Sequence, residues 1–383
     1  MEGKVADTHA GGRPRTLEEA KEWMRHKAIA RQHPMNNLSV EDTERVLATL
    51  PGLDGASWAP AWTTAGEAAF EQAMQAQREG DRTTAREHFL RAHGFFFMGR
   101  FPCPNHPLKL ASAQRERDAY IAAGALFDRP VERVTVPFDG GEGEGDTVVF
   151  LFRRPATTGP VPVVVMWGGV DAWKEQMTAA SDLLLARGVA TIAMDGPGTG
   201  ESPVKGVPDA DRQFLPVFDW IERRDDLIGR PACLGRSFGG YWATRLAHVH
   251  SARICAAVNW GGGAHYMFQP DWIAASRYPD SYLMELVETR MRMLGATSEA
   301  EYLAFFERLS LLDQGLLDQP CAPMLLVNGR EDKQCPVADI DLLVSHGSPK
   351  SVRMFPGGHM GLTPETLPLI ADWLAARAHG EAR

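Results

Sequence analysis

Cysteine is scarce: Cys103, Cys233, Cys255, Cys321 and Cys335 are the only five in 383 residues, widely spaced and never arranged as CxxC. That pattern argues against a disulfide framework or a zinc site, and it fits a reducing cytoplasm in which these residues pack as small apolar groups. Long apolar runs are missing too. The longest, at 161–167, is interrupted by Pro162 and falls far short of the roughly 20 residues that a membrane-spanning helix needs. The N-terminal MEGKVADTHAGGRPRT is polar and glycine-rich, without the apolar core of a secretory signal. A soluble cytoplasmic protein with no membrane partner is therefore expected. Basic tracts are absent as well: 40 Lys and Arg face 49 Asp and Glu, a formal net charge of −9, so nothing supports a nucleic-acid partner. No pattern calls for a metal or an organic cofactor. In particular, the turn-rich Asp195-Gly-Pro-Gly-Thr-Gly-Glu-Ser202 lacks the lysine of a phosphate-binding loop and reads as a structural loop.

What is present divides into two textures. The expected organisation is a flexible N-terminus at 1–15, a helical N-terminal cap domain at 16–130 and a catalytic domain at 131–383. Thr16-Leu-Glu-Glu19 is a capping-box pattern that opens a helix running towards Arg31, and Ser39 marks a second start. Helices at 61–78 and 83–98, joined by Glu79-Gly80-Asp81, form a hairpin of tetratricopeptide type, with no repeat at a fixed period. From residue 131 the pattern changes. Strands at 133–138 and 147–152 flank a Gly/Glu/Asp run, which is a β-hairpin signature. Apolar strand-length runs at 161–167, 189–194, 232–234, 254–260, 324–327 and 352–355 then alternate with helices. Such alternation predicts an α/β fold, a mostly parallel, doubly wound sheet covered on both faces. A largely helical insertion at 264–319 follows a strand C-terminus, where a lid is expected.

Within this frame Gly235-Arg-Ser-Phe-Gly239 matches G-x-S-x-G between a strand and a helix. A strand-to-helix turn that tight strains the serine backbone, and only small flanking residues let the chains pass. Ser237 is thus the candidate nucleophile. A serine hydroxyl needs a base, and two later strands end in suitable partners: Arg330-Glu331-Asp332 after 324–329, and Pro356-Gly-Gly-His359 after 351–355. His359 is the candidate base. Asp332, favoured over the neighbouring Glu331 by G-x-x-D spacing, is the candidate acid that orients it. The oxyanion donors are expected to be the backbone N–H of Phe238 and one from Trp167-Gly-Gly-Val-Asp171, either Val170 or Gly169. Asp171 and Lys174 are candidate contacts for a polar substrate group. Aromatic residues crowd the helical segments, among them Trp58, Trp62, Phe70, Phe89, Phe95 to Phe97 and Phe101. Helix packing explains most of them. Trp260, Tyr266, Phe268 and Trp272 leave the sheet near the expected site and are candidates for an apolar substrate pocket.

With those residues in place, the chain resembles the FrsA-like branch of the α/β-hydrolases, the group that includes 2,6-dihydroxypseudooxynicotine hydrolases and fungal polyketide-shortening hydrolases. The likeness rests on Trp167-Gly-Gly-Val-Asp-Ala-Trp-Lys-Glu175, the 195–202 loop, Gly235-Arg-Ser-Phe-Gly-Gly240 and Gly357-Gly-His359, with Val170 standing where leucine is expected. It implies an α/β-hydrolase fold with a Ser237–Asp332–His359 triad, and it allows a homodimer. It also implies a small-molecule substrate, apolar or aromatic, cleaved at a carbon–carbon bond next to a ketone. A carboxylesterase or lactonase would use the same residues, and a non-catalytic binding protein on this fold is the distant alternative.

Overall fold

The computed structural model describes residues 13–380 of the chain. The N-terminal segment expected at 1–15 therefore lies, through residue 12, outside the described residues.

The chain packs into two compact units, one of residues 13–131 with Tyr282–Thr289, the other of Glu132–Ser281 with 290–380. The first unit is helical. Thr16 caps α1 (Leu17–Ile29) in a complete capping box, and Ser39 Oγ accepts the Asp42 N–H to start α2 (Val40–Leu47). Then come α3 (Gly55–Arg78) and α4 (Arg82–Arg100), which turn at Gly80, and α5 (Pro107–Gly124), which opens on a proline with His106 Nδ1 accepting the Leu108 N–H. Helix α3 begins before Pro60 rather than after it. Asp54 Oδ1 accepts the N–H groups of Ala56 and Ser57, and the early turns bury Trp58 and Trp62. Together these offset the single hydrogen bond that Pro60 cannot donate. The aromatics at 89, 95–97 and 101 are core residues of this unit.

The second unit is an eight-stranded sheet in the order β1-β2-β4-β3-β5-β6-β7-β8. Its strands are β1 (Glu132–Pro137), β2 (Thr147–Arg153), β3 (Val163–Trp167), β4 (Ala190–Met194), β5 (Ala232–Arg236), β6 (Ala256–Trp260), β7 (Met324–Gly329) and β8 (Lys350–Phe355). The hairpin strands β1 and β2 are antiparallel, whereas all pairs from β4 to β8 are parallel. Strands β3 to β7 are buried almost throughout, as expected of a parallel sheet covered on both faces. The covering helices are α6 (Thr178–Leu185), α7 (Leu215–Glu222), α8 (Gly239–Val249), α12 (Ala338–Val344) and α13 (Thr366–Ala378). Between β6 and β7 run α9 (Pro270–Ala275), α10 (Leu286–Leu294) and α11 (Glu299–Glu307). Within this insertion, 282–289 belongs to the helical unit and the rest to the sheet unit. No helix among the described residues is long and apolar enough to cross a membrane.

Candidate active site

Strand order decides which loops meet. Strands β5, β6, β7 and β8 are consecutive parallel neighbours, so the segments after their C-termini lie side by side. Ser237 occupies the turn between β5 and α8 with φ of +55°. A non-glycine residue in that region costs of the order of 1–3 kcal/mol and persists only where its surroundings over-determine it. Here the Ser237 N–H donates to Trp260 O at 2.7 Å, and its carbonyl accepts from Gly240 N at 2.8 Å. Glycine is required on both sides. A Cβ at Gly235 would stand 2.0 Å from Gly239 O, and one at Gly239 would stand 2.4 Å from Gly168 O.

From this turn a continuous hydrogen-bonded line runs through the expected partners. Ser237 Oγ lies 2.7 Å from His359 Nε2, and His359 Nδ1 lies 2.8 Å from Asp332 Oδ2. The Asp332 side chain is completely buried and that of His359 is 13% exposed. The neighbouring Glu331 is an exposed residue, so the alternative acid is not the one facing His359. Asp332 is fully occupied. Its Oδ1 accepts the N–H groups of Gln334 (2.7 Å) and Cys335 (3.1 Å), and its Oδ2 also accepts from Asn328 Nδ2 at 2.9 Å.

Asn328 belongs to no motif in the sequence. From the end of β7 its Oδ1 accepts both Gly329 N (2.8 Å) and Met360 N (2.9 Å), while its amide nitrogen holds Asp332. One buried side chain therefore ties the acid loop to the histidine loop. Met360, next to His359, sits at φ of +68°, and its carbonyl accepts from Trp260 Nε1 at 2.7 Å. The sequence signal is slight: a polar residue inside an otherwise apolar strand.

Opposite the serine lies the loop after β3. A Cβ at Gly169 would stand 3.0 Å from Ser237 Oγ and 3.3 Å from Phe238 N. The backbone here approaches as closely as glycine permits. The N–H groups of Gly169, Val170 and Phe238 donate to no acceptor among the described residues.

The other expected contact residues fall in varied places. Asp171 is buried, and its charge acts on the Arg236 guanidinium, which lies 5.8 Å from the centre of the Trp260 ring. Lys174 is 1% exposed and committed elsewhere: its Nζ contacts Asp195 (2.7 Å), Glu201 (2.8 Å) and Glu175 (3.1 Å). Burial alone would lower its pKa, but these three carboxylates together raise it. It locks the 195–202 loop to the segment after β3, so the expectation that it contacts substrate is corrected: all the charge it offers is used internally. Phe268 is wholly buried against the rings of Phe238, Tyr241 and Phe306. Trp272 is half-buried with Nε1 on Gln334 O, and Tyr266 is 42% exposed. Asp332, Cys335 and His359 also bring potential metal-ligating atoms within 4.8 Å of one another. Asp332 and His359 are bonded to each other, however, and burial pushes the Cys335 thiol well up, away from the thiolate a metal would require.

Comparison with known proteins supports this architecture. A family model described as esterase FrsA-like matches residues 29–377. Hydrolase ORFZ of Pyricularia oryzae is 31% identical over 228 residues, which cover 54% of this chain and 53% of that protein. This chain thus spans about half the length of that fungal relative. Esterase FrsA of Escherichia coli K12 is 26% identical over 340 residues, 86% of this chain and 78% of that protein. Among solved structures, the 2,6-dihydroxy-pseudo-oxynicotine hydrolase superimposes with a TM-score of 0.76 at 22% identity, covering 94% of this chain and 97% of its own. Wild-type AbyA5 gives 0.74 at 22% identity, covering 96% and 95%. At that identity the likeness establishes the α/β-hydrolase fold.

Proposed function

The chain belongs to the FrsA-like esterase family, and from that premise we propose that it is a serine hydrolase in which Ser237 attacks a carbonyl carbon, His359 takes the serine proton and Asp332 holds the imidazole. The unbroken line of 2.7 and 2.8 Å hydrogen bonds from Ser237 through His359 to Asp332 carries this reading. As Oγ bonds to carbon, negative charge moves to the carbonyl oxygen, where the N–H of Phe238 and one from Gly169 or Val170 receive it. Asp332 stabilises the imidazolium without taking its proton. The leaving group departs with its electron pair and collects that proton from His359. Water then cleaves the acyl-enzyme with His359 as base, releasing a carboxylic acid.

We place carbon–carbon cleavage first: an acyl group leaves a ketonic substrate and the electron pair departs as an enol. Tyr266 and Trp272, aromatics after β6 that keep accessible surface, suit an apolar or aryl substrate of this kind. The esterase description of the family favours a second reading, ester or lactone hydrolysis with an alkoxide leaving group. The two are separated by comparing kcat/KM for an aryl 1,3-diketone and a matched aryl ester, with products identified by mass spectrometry and Ser237→Ala as control. Diketone turnover to a carboxylic acid plus a ketone supports the first reading, and turnover of the ester alone supports the second. Full activity in Ser237→Ala refutes both.

A further inference from the structure

Six lysines and arginines are buried among the described residues, and five of them face a carboxylate: Arg100, Lys109, Arg153, Lys174 and Arg245. Arg290, on α10, is the exception. It is 3% exposed and pairs with no carboxylate among the described residues. Its Nη1 makes only long hydrogen bonds, to Ser276 Oγ at 3.3 Å and Tyr302 OH at 3.4 Å, and its Nε is buried with no acceptor. The guanidinium lies 5.1 Å from the centre of the Phe306 ring. Nearby acids are unavailable to it. Asp332 is held by His359, Asn328 and two amides, and Asp339 accepts the N–H groups of His265, Tyr266 and Met267. A guanidinium taken out of water without a counter-charge is the arrangement folding ordinarily avoids.

Two observations tie this cation to the candidate active site. Phe306, beneath the guanidinium, stacks on Phe238, the residue after the nucleophile, with ring centres 6.0 Å apart. Arg290 is also within electrostatic reach of Cys335: burial drives that thiol well up and Asp332 adds to the effect, while Arg290 opposes it. The Cys335 sulfur is in turn within 4.8 Å of the ligating atoms of Asp332 and His359.

We infer that Arg290 is the counter-charge for an anionic group on the substrate, a planar oxyanion such as a carboxylate or an ionised enol or phenol, carried on the same molecule as the scissile carbonyl. The inference rests on the reading of Ser237 as nucleophile. A guanidinium with an unused Nε edge suits such a group because two parallel N–H donors match two oxygens, or one oxygen and its delocalised charge. The aromatic surroundings add selectivity, since a neutral analogue would leave the cation buried and unpaired.

Binding tests this independently of turnover. Benzoate and its neutral isostere benzamide are titrated calorimetrically into the full chain, into Arg290→Lys and into Arg290→Gln, with circular dichroism as a check on folding. The wild type is expected to bind benzoate about 10- to 100-fold more tightly than benzamide, the range of one charge-assisted hydrogen-bonded pair. Arg290→Lys should keep part of this preference and Arg290→Gln should lose it. Equal binding of the two probes by the wild type overturns the inference even if neither variant folds. So does an undiminished preference in a folded Arg290→Gln. Loss of ester turnover in Ser237→Ala together with unchanged benzoate binding is the outcome that upholds both readings. Full turnover in Ser237→Ala would instead remove the catalytic reading and leave the anion site judged by the titrations alone.

Discussion

Replacing Gly169 by alanine is expected to remove most turnover while leaving the protein folded. The added methyl would stand 2.8 Å from Ser237 Cβ, 3.0 Å from Ser237 Oγ and 3.3 Å from Phe238 N. Carbon atoms in good contact sit about 3.5–4.0 Å apart, so the loop must retreat by roughly half an ångström or more. The methyl would still project between the nucleophile and the Phe238 N–H, where the developing oxyanion has to sit. Losing one oxyanion donor costs about 3–4 kcal/mol, a factor of 10²–10³ in kcat. The overpacking itself costs about 1–3 kcal/mol of stability. Gly358 provides the control. It precedes His359, yet a methyl added there would have Glu331 O as its nearest neighbour, at 3.8 Å, and the φ of −84° suits alanine. Gly358→Ala should therefore stay within a few-fold of wild type. The assay is kcat/KM on 4-nitrophenyl acetate beside a thermal melt of each variant. A folded Gly169→Ala with wild-type kcat/KM would refute the placement of the oxyanion between Gly169 and Phe238.

Two further substitutions probe the supports of the site. Asn328→Ala strands the amides of Gly329 and Met360, which should lower stability by about 1–3 kcal/mol. Asn328→Asp puts a carboxylate against Asp332 Oδ2, now 2.9 Å from the Asn328 amide, and the added negative charge should move the acid limb of the kcat/KM–pH profile upward. An unmoved limb in a folded Asn328→Asp would deny Asn328 a role in positioning the Asp332–His359 pair. Lys174→Met leaves three buried or half-buried carboxylates without their cation, and a loss of about 3–5 kcal/mol is expected in denaturant unfolding. A melt equal to wild type would contradict the reading of Lys174 as the lock of the 195–202 loop.

Much was legible in the sequence because its signals are short-range. Capping at Thr16 and Ser39 is satisfied within three residues, and the glycine at 235 is demanded by a turn only a few residues long, whereas the one at 239 makes room for Gly168 and Trp167 of a distant segment. Alternating apolar strands and helices identify the covered parallel sheet for the same reason: side-chain periodicity is local. Chain order also indicated that Ser237, Asp332 and His359 belong after strand C-termini. That the three should touch depended on β5 to β8 being adjacent, which brings together residues 122 positions apart. Only the folded chain showed that Asp332 rather than Glu331 faces His359, since both share one loop and differ only in the direction of the side chain. Likewise, nothing in the spacing of Lys174 and Arg290 separates a cation ringed by carboxylates from one left without any. Local pattern specifies what a residue can do, whereas burial and long-range partners, fixed by how the strands and helices pack, decide what it is left to do.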